Sequence, residues 1–271
     1  MTPTRKEFEL FGIIVGDGCI SINERYEELA ILGDIIEEKE YYESHVIPLF
    51  NKTISLPLLN KEIHGKAYSS TGVFGFMVFN SKVAQHFLKF GFKSGPKPDI
   101  VLPEIIIKAK PENQKSFLKG LFDTDGSIYF EKNYSMRHSK HTKPKIKLGT
   151  SSEKMKNQVK DMCSNLGIRT MDKMPYKGKR DKNTKYELII YRKSDVTRWI
   201  KEIGFSNPKH LTKIEIWRKL GYCPPKTTIA QRKALLVRIN AGAGSANPDW
   251  LGSQSPVLGF GDITEIWGNV L

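Results

Sequence analysis

Two aspartates end matching segments that lie far apart in the chain. The first segment, from Leu10 to Gly18, reads LFGIIVGDG, and the second, from Leu118 to Gly126, reads LKGLFDTDG, so that Asp17 and Asp125 hold equivalent positions. Each segment is an apolar run that ends in an Asp-Gly step and continues into a strand-like sequence. A long-period repeat indicates that one structural unit occurs twice. Duplication of this unit can therefore place two carboxylates side by side.

Paired carboxylates of this kind favour a divalent cation. Each aspartate is predicted at the C-terminus of a helix, where free carbonyl groups carry a partial negative charge. Oxygen ligands suit Mg²⁺, which completes its coordination with water and phosphate oxygens, and Mn²⁺ or Ca²⁺ is expected to substitute in binding. We therefore take Asp17 and Asp125, with the preceding Gly16 and Thr124, as candidate metal ligands. A single Asp-Gly step is more typical of a turn or a helix cap, and only the repeat favours a site.

The spacing of small residues predicts how the two acids meet. Positions four apart share one face of a helix, and Gly12 and Gly16 are so spaced, as are Gly120 and Thr124. Faces of small residues let two helix backbones approach closely. We expect the motif helices to pack through these faces, with both acids at the same end. Asp123 has an apolar counterpart in the first segment, Val15, and is predicted to be structural or to support the metal ligands without being one.

Charge and composition narrow the class of protein. The 271 residues carry a formal net charge of +14, with 39% hydrophobic and 27% charged residues. Residues 241–271 contain no Lys or Arg and three acids, so the rest of the chain holds all 43 basic residues and 26 of the 29 acidic ones. Such an excess favours a polyanionic partner such as nucleic acid, although a merely soluble basic surface gives the same composition.

Other sequence features argue against secretion and membrane insertion. The chain shows no apolar run of the length a membrane span needs and no signal peptide. Its three cysteines are widely separated and are predicted to be free thiols. We expect a cytoplasmic protein of a prokaryote, with an organellar matrix as the alternative, and no membrane partner.

The pattern of apolar residues predicts an α+β fold of two duplicated halves. Each half reads as helix, two strands, helix, two strands, helix (αββαββα). We predict a first half at residues 1–94, a linker at 95–110, a second half at 111–222, and at 223–271 an extension with a short basic helix and a Gly-rich tail of low charge. Predicted strands in the first half include Thr53–Leu59, after a helix at Tyr41–Phe50, and a strand at Arg169–Tyr176 is predicted in the second.

These residues resemble the LAGLIDADG homing endonucleases in the single-chain form with two motifs, over about residues 8–222. Asp17 and Asp125 match the position that supplies the metal-binding acid in that family. The resemblance implies pseudo-twofold packing of the motif helices and two antiparallel sheets that form a saddle over DNA. It also implies a monomer with a long double-stranded DNA site, cleavage of both strands with 3′ overhangs, and intron homing. Only nine residues precede Leu10, which leads us to expect a freestanding or intron-encoded enzyme.

Family members often place a basic residue near the metals, just before the last helix of each half. That position corresponds to Lys82 in the first half. In the second half it falls at Ser194, after Arg192 and Lys193. The resemblance therefore makes Lys82 and Lys193 candidate catalytic residues with a basic side chain near the metals, although both also fit ordinary solvated lysines at a strand–helix junction.

A sheet that binds DNA is expected to have one basic face. Lys145 and Lys147 alternate with Ile146 and Leu148, which are predicted to face the core. Most basic side chains of such a face contact phosphate, and some can read guanine edges in the major groove. The candidate DNA-binding residues are Arg25, Lys61, Lys66, Arg137, His138, Lys143, Lys145, Lys147, Lys177, Lys179, Arg180 and Arg192, with Lys52, His64 and Lys173 as further positions. The second half is richer in them, which predicts asymmetric readout.

Two other classes of function fit parts of the pattern. An RNA maturase, with RNA as a partner, is compatible with intact motif acids. A DNA-binding regulator on the same scaffold would be expected to have lost a motif acid, and both are present. An RNA endonuclease of the tRNA-splicing type fits the charge but not the twin motif. The leading prediction is a metal-dependent double-strand DNA endonuclease.

Overall fold

Each motif segment forms the end of a helix that leads directly into a four-stranded antiparallel sheet. In the computed structural model, residues 2–97, 99–134, 140–179 and 181–241 are described. The first half contains helix Arg5–Gly16, strands β1 (Gly18–Ile22) and β2 (Glu27–Asp34), a helical segment at 39–59, strands β3 (Lys66–Tyr68) and β4 (Val73–Phe79), and helix Ser81–Lys89.

The second half repeats this order after a short helix, Glu104–Ile107, in the connecting segment. It contains helix Pro111–Thr124, strands β5 (Gly126–Lys132) and β6 (His141–Thr150), helix Glu153–Asn165, strands β7 (Met171–Asp172) and β8 (Tyr186–Ile190), and helix Lys193–Glu202. Helices Pro208–Leu220 and Ile229–Asn240 follow. The predicted α+β class and its duplicated halves are confirmed.

The two sheets share one topology. Their strand orders are β1-β2-β4-β3 and β5-β6-β8-β7, and all pairs are antiparallel. In each sheet the glycine after the motif aspartate begins the first strand pair: Gly18 lies opposite Ile31, and Gly126 lies opposite Leu148. Ile31 and Leu148 are fully buried. The same register in both halves places the two acids at equivalent points, where each motif helix meets its sheet.

The motif helices Arg5–Gly16 and Pro111–Thr124 pack against each other as their small faces predict. A β-carbon placed on Gly12 would lie 2.1 Å from the carbonyl oxygen of Phe117. One placed on Gly120 would lie 2.0 Å from the carbonyl oxygen of Glu9. Neither distance is compatible with a side chain, because the contacted atoms belong to the backbone of the opposite helix. Glycine is thus required on both sides of the interface.

The predicted strand at Thr53–Leu59 is wrong, because this stretch continues the preceding helix to residue 59. Val46, Phe50 and Ile54 are fully buried at four-residue spacing, which is the apolar face of a helix. Wider π-helical turns at Tyr42–Val46 and Asn51–Ser55 precede the two prolines of this segment. These turns make room for rings that lack an N–H donor and clash with the previous turn.

The strand predicted at Arg169–Tyr176 is shorter than expected. Only Met171–Asp172 forms a ladder with β8, and Tyr176 adds one isolated bridge to Lys185. The loop between β7 and β8 therefore carries most of the basic residues predicted for that strand pair.

The helix Ile229–Asn240 ties the C-terminal part of the chain to the first half. Arg232 is 1% exposed, and its guanidinium donates to Glu37 at 2.9 Å and to the Thr212 hydroxyl at 2.9 Å. A buried guanidinium needs such partners, since an unpaired charge away from water is costly. Among the described helices, none is long and apolar enough to cross a membrane.

Candidate functional site

Asp17 and Asp125 cap the C-termini of the two motif helices. The amide of Asp17 donates to the carbonyl of Ile13 at 2.9 Å, and that of Asp125 donates to the carbonyl of Leu121 at 3.0 Å. A β-carbon on Gly16 would lie 3.4 Å from the carboxyl carbon of Asp125, so the ends of the two helices are in contact. The structure therefore brings both predicted acids to one place.

The environment of the two acids disfavours their ionised forms. Burial, together with the nearby carboxylates of Glu38 and Asp125, raises the pKa of Asp17 to about 7, against a hydrogen bond of 2.8 Å that its Oδ2 accepts from the Tyr42 hydroxyl. Burial also raises the pKa of Asp125 to about 6, although Lys97 and Lys209 oppose the shift. Mutual repulsion in a low dielectric is the condition that a bound cation relieves.

The donor set fits a hard divalent ion. Both acids offer oxygen atoms only, and Mg²⁺ typically takes few protein carboxylates and keeps several waters. Within the described residues, no group of three or more His, Cys, Asp or Glu side chains is arranged as a fuller metal site. The two aspartates are thus the side chains that would hold such an ion.

Two lysines, not predicted from the sequence, lie at the ends of the motif helices. The Lys97 ammonium donates to the carbonyls of Ile14 at 2.6 Å, Val15 at 3.0 Å and Gly16 at 3.2 Å. The Lys209 ammonium donates to the carbonyl of Thr124 at 2.9 Å. Cations are stabilised at helix C-termini by the free carbonyls there. Each half thus supplies one ammonium group beside the paired acids.

The sequence predicted Lys82 and Lys193, and not Lys97 and Lys209, as the basic groups of the site. Lys82 is exposed near the start of helix Ser81–Lys89, and Lys193 is exposed with its ammonium 6.0 Å from the ring of Trp217. Neither forms an ion pair or hydrogen bond with Asp17 or Asp125 among the described contacts. The geometry therefore gives no support to the catalytic roles predicted for them.

The sequence also contains a signal for Lys97 and Lys209. The segments that close the two halves read GFKSGPK and GFSNPK, and both end in Pro-Lys at Lys97 and Lys209. The repeated closing segment therefore marks the two lysines in the way that the repeated Asp-Gly segment marks the two acids. The lysine that ends each copy of this closing segment donates to the carbonyl groups at the end of a motif helix. The lysines at the start of the preceding helices, Lys82 and Lys193, are exposed.

Gly16 and Thr124 take part in the site through their backbone. Their carbonyl oxygens accept from Lys97 and Lys209, and the hydroxyl of Thr124 donates to the carbonyls of Gly120 at 3.2 Å and Leu121 at 3.0 Å. In this structure both carbonyl groups bind the ammonium group of a lysine. Their predicted role as metal ligands stays a prediction.

Asp123 has the structural role expected of it. It is fully buried and accepts from the backbone amides of Ser206, at 2.9 Å, and Asn207, at 3.0 Å. Burial raises the pKa of Asp123 to about 6, against these two backbone hydrogen bonds. The residue fixes the turn that precedes Lys209.

The basic face of the second sheet has the predicted alternation. Ile146 and Leu148 are fully buried, while Lys145 and Lys147 lie on the opposite face. There Lys145 pairs with Glu131 at 2.7 Å, and Lys147 pairs with Glu187 at 2.7 Å. These glutamates order the lysine side chains but also cancel part of their charge. Lys143, Lys177, Lys179 and Arg192 are exposed around the same sheet, and Lys173 pairs with Glu187 at 3.2 Å.

The first sheet is much less basic, as the sequence indicates. Its register places Ser21, Glu28 and Phe79 on one face, and Phe79 is 64% exposed. Arg25 is exposed in the β1–β2 hairpin, Lys66 is exposed on β3, and Lys52, Lys61 and His64 are exposed around the end of the helical segment 39–59. Arg137, His138 and Arg180 lie outside the described residues, as does the tail from residue 242. All of these DNA-binding roles stay predictions.

The raised pKa values of the two acids predict the pH dependence of stability. Folding shifts both groups upward from the ordinary 3.8, so the folded state binds more protons than the unfolded chain between about pH 4 and 7. The stability from these two groups is complete below about pH 4 and is lost as pH rises through about 7. The contribution of these two groups to the melting temperature in EDTA should therefore fall as the pH rises from about 4 to about 7. A matched titration of Asp17→Asn should be flatter, and an equally steep profile for this variant would contradict the assignment.

Comparisons with known proteins bear on the fold of this chain. The LAGLIDADG-like domain family matches residues 112–204. I-DmoI in complex with DNA and Ca superposes with a TM-score of 0.53 at 16% identity, covering 73% of this chain and 88% of that chain. A variant of I-SmaMI superposes with a TM-score of 0.52 at 11% identity, covering 91% of this chain and 99% of that chain. At these identities the likeness establishes a shared fold.

A curated relative is the replicative DNA helicase DnaB of Rhodothermus marinus. It is 24% identical over 220 residues, which cover 75% of this chain and 20% of the helicase. The chain therefore spans about a fifth of the length of this relative.

Proposed function

We propose that this chain, which has the fold of LAGLIDADG homing endonucleases and matches the LAGLIDADG-like domain family over residues 112–204, is a site-specific, divalent-metal-dependent double-strand DNA endonuclease. The observation that carries the proposal is the pair of buried acids, Asp17 and Asp125, at the contact of the motif helices with a lysine on each side. Two buried acids with raised pKa values are more typical of a functional site than of a structural one, because a bound cation would relieve the repulsion that remains between them.

The residues of the site have different proposed roles in hydrolysis. Asp17 and Asp125 would hold the divalent ion, which supplies activation of water and stabilisation of the leaving oxygen when bound. Lys97 and Lys209 bring positive charge to the place where negative charge grows on the phosphate. The basic face of the second sheet holds the DNA backbone, and Tyr42 orients the Asp17 carboxylate through its hydrogen bond.

Finer features belong to the same proposal. Mg²⁺ is the proposed ion, and a divalent metal is supported by the solved structures of I-DmoI in complex with DNA and Ca and with DNA and Mn. The protein is proposed to act as a monomer on a long double-stranded site, to leave 3′ overhangs and to promote homing of an intron. The pseudo-twofold arrangement supports this, since two acids serve two strands from one chain.

The experiment uses a supercoiled plasmid that carries the uninterrupted host locus, incubated with Mg²⁺, Mn²⁺, Ca²⁺ or EDTA. We expect linear product with Mg²⁺ or Mn²⁺, and intact supercoiled plasmid with EDTA. A plasmid carrying the interrupted locus is the control and should stay uncut. Sequencing of the ends tests for 3′ overhangs. Tight binding of the uninterrupted locus without cleavage in either Mg²⁺ or Mn²⁺ would instead indicate a DNA-binding regulator.

A further inference from the structure

A third carboxylate, Glu38, crosses the interface between the halves next to the paired acids. It is 7% exposed, and both of its oxygens accept hydrogen bonds. Oε2 accepts from the backbone amide of Asp34 at 2.9 Å, while Oε1 accepts from the side-chain amide of Asn207 at 3.1 Å and from the Lys209 ammonium at 2.5 Å. Glu38 thus fastens a lysine of the second half to the backbone of the first.

Lys97, the equivalent lysine of the first half, is held by backbone carbonyl groups and not by a carboxylate. The Lys97 ammonium donates to three backbone carbonyls of its own motif helix. No carboxylate lies within ion-pairing distance of it in the part of the chain that the structure describes. The two lysines therefore occupy equivalent places with different anchors, one held by the main chain and the other by an ion pair across the interface.

We infer that Glu38 is a positioning residue that fixes Lys209 and makes cleavage of one DNA strand depend on it while cleavage of the other does not. The inference rests on the proposed function, because it assigns one lysine to each strand. Lys209 has a long flexible side chain, and its use at a phosphate requires that the ammonium be held in one place. Glu38 and the Thr124 carbonyl together take two of its three donors and leave one for the phosphate.

Glutamine cannot replace glutamate here, although it has nearly the same shape. Both oxygens of Glu38 face donors, so an amide in either orientation turns its NH₂ group toward a donor. One orientation loses the bond to the Asp34 amide, and the other loses the bonds to Asn207 and Lys209. In either orientation the amide also lacks the negative charge that pairs with the Lys209 ammonium, so Glu38→Gln should fold but hold Lys209 less firmly.

The first readout is strand-specific nicking of the host-locus plasmid, with run-off sequencing of each strand. Glu38→Gln should cut one strand about tenfold more slowly and accumulate nicked circles. Lys209→Met should slow the same strand, and Lys97→Met should slow the other. Equal slowing of both strands by Glu38→Gln, or slowing of the strand that Lys97→Met affects, would overturn the inference.

The second readout does not depend on cleavage. Acetylation of lysines, followed by mass spectrometry, should show Lys209 protected in the native protein and several-fold more reactive in Glu38→Gln, with Lys97 unchanged. Equal reactivity of Lys209 in both proteins would overturn the inference even if the plasmid is cut. Loss of plasmid cleavage in the native protein, with this protection intact, would count against the proposed function alone.

Glu37→Gln is the matched control. Glu37 precedes Glu38 and binds the C-terminal helix, through the Ile229 amide at 2.9 Å and Arg232 at 2.9 Å. Its loss should lower the melting temperature but leave the ratio of the two nicking rates and the Lys209 reactivity unchanged. A general loosening of the interface would change both variants alike.

Discussion

Replacing either Asp17 or Asp125 with Asn is expected to abolish double-strand cleavage while DNA binding persists. Asparagine keeps the shape of the side chain but removes the charge that would hold the divalent ion, and loss of such stabilisation typically costs about a hundredfold to a thousandfold in rate. The Tyr42 hydroxyl keeps an acceptor in Asp17→Asn. The measurement compares plasmid linearisation with affinity for a DNA fragment of the same locus.

A measurement of stability distinguishes loss of the acidic site in these variants from unfolding of the protein. Because burial and neighbouring carboxylates raise the pKa of Asp17 to about 7, the neutral amide removes repulsion and should keep or raise the melting temperature in EDTA at neutral pH. Asp161→Asn, at an exposed position of helix Glu153–Asn165, is the control and should cut like the native protein. Full cleavage by either motif variant would refute a site shared by the two acids.

Introducing a methyl group at Gly12 or Gly120 is expected to separate the motif helices and to destabilise the whole fold. The new β-carbon would lie 2.1 Å from the Phe117 carbonyl or 2.0 Å from the Glu9 carbonyl, and these backbone atoms cannot turn aside. Overpacking of this kind costs about 1–3 kcal/mol and sometimes more, against at most about 1 kcal/mol gained from the helix propensity of alanine. Because the contacted atoms belong to the backbone, we expect a cost at the upper end of this range and a net loss of about 2 kcal/mol in the free energy of unfolding, measured by urea denaturation.

Gly149→Ala is the control for this prediction. Gly149 lies in β6 with no atom within 4 Å of an added β-carbon. Its substitution should therefore change the free energy of unfolding little. Cleavage should fall in Gly12→Ala and Gly120→Ala even where the protein folds, because separation of the helices moves Asp17 from Asp125. A variant as stable as the native protein would contradict the close approach of the helices.

Local patterns predicted the framework of the site. The repeat identified Asp17 and Asp125. The four-residue spacing of Gly12 with Gly16, and of Gly120 with Thr124, predicted the helix contact, because such spacing is a periodic feature of a short stretch of chain. Alternation at Ile146 and Leu148 correctly identified the buried face of β6 for the same reason. Thr53–Leu59 failed because its β-branched residues favour a strand locally, whereas burial of Ile54 against the core selects the helix.

The sequence by itself determined the duplicated α+β fold, the two acids and the small faces that bring them together. Only the tertiary structure decided which other groups surround them. Lys209 and Glu38 are 171 residues apart and meet at 2.5 Å, and Tyr42 reaches Asp17 from a different helix. Such contacts depend on how the two halves dock, and docking is set by packing across the interface. The sequence of a duplicated chain therefore shows what its two halves share. The differences between them appear only in the docked structure, and here they are Glu38 and the two lysines with different anchors.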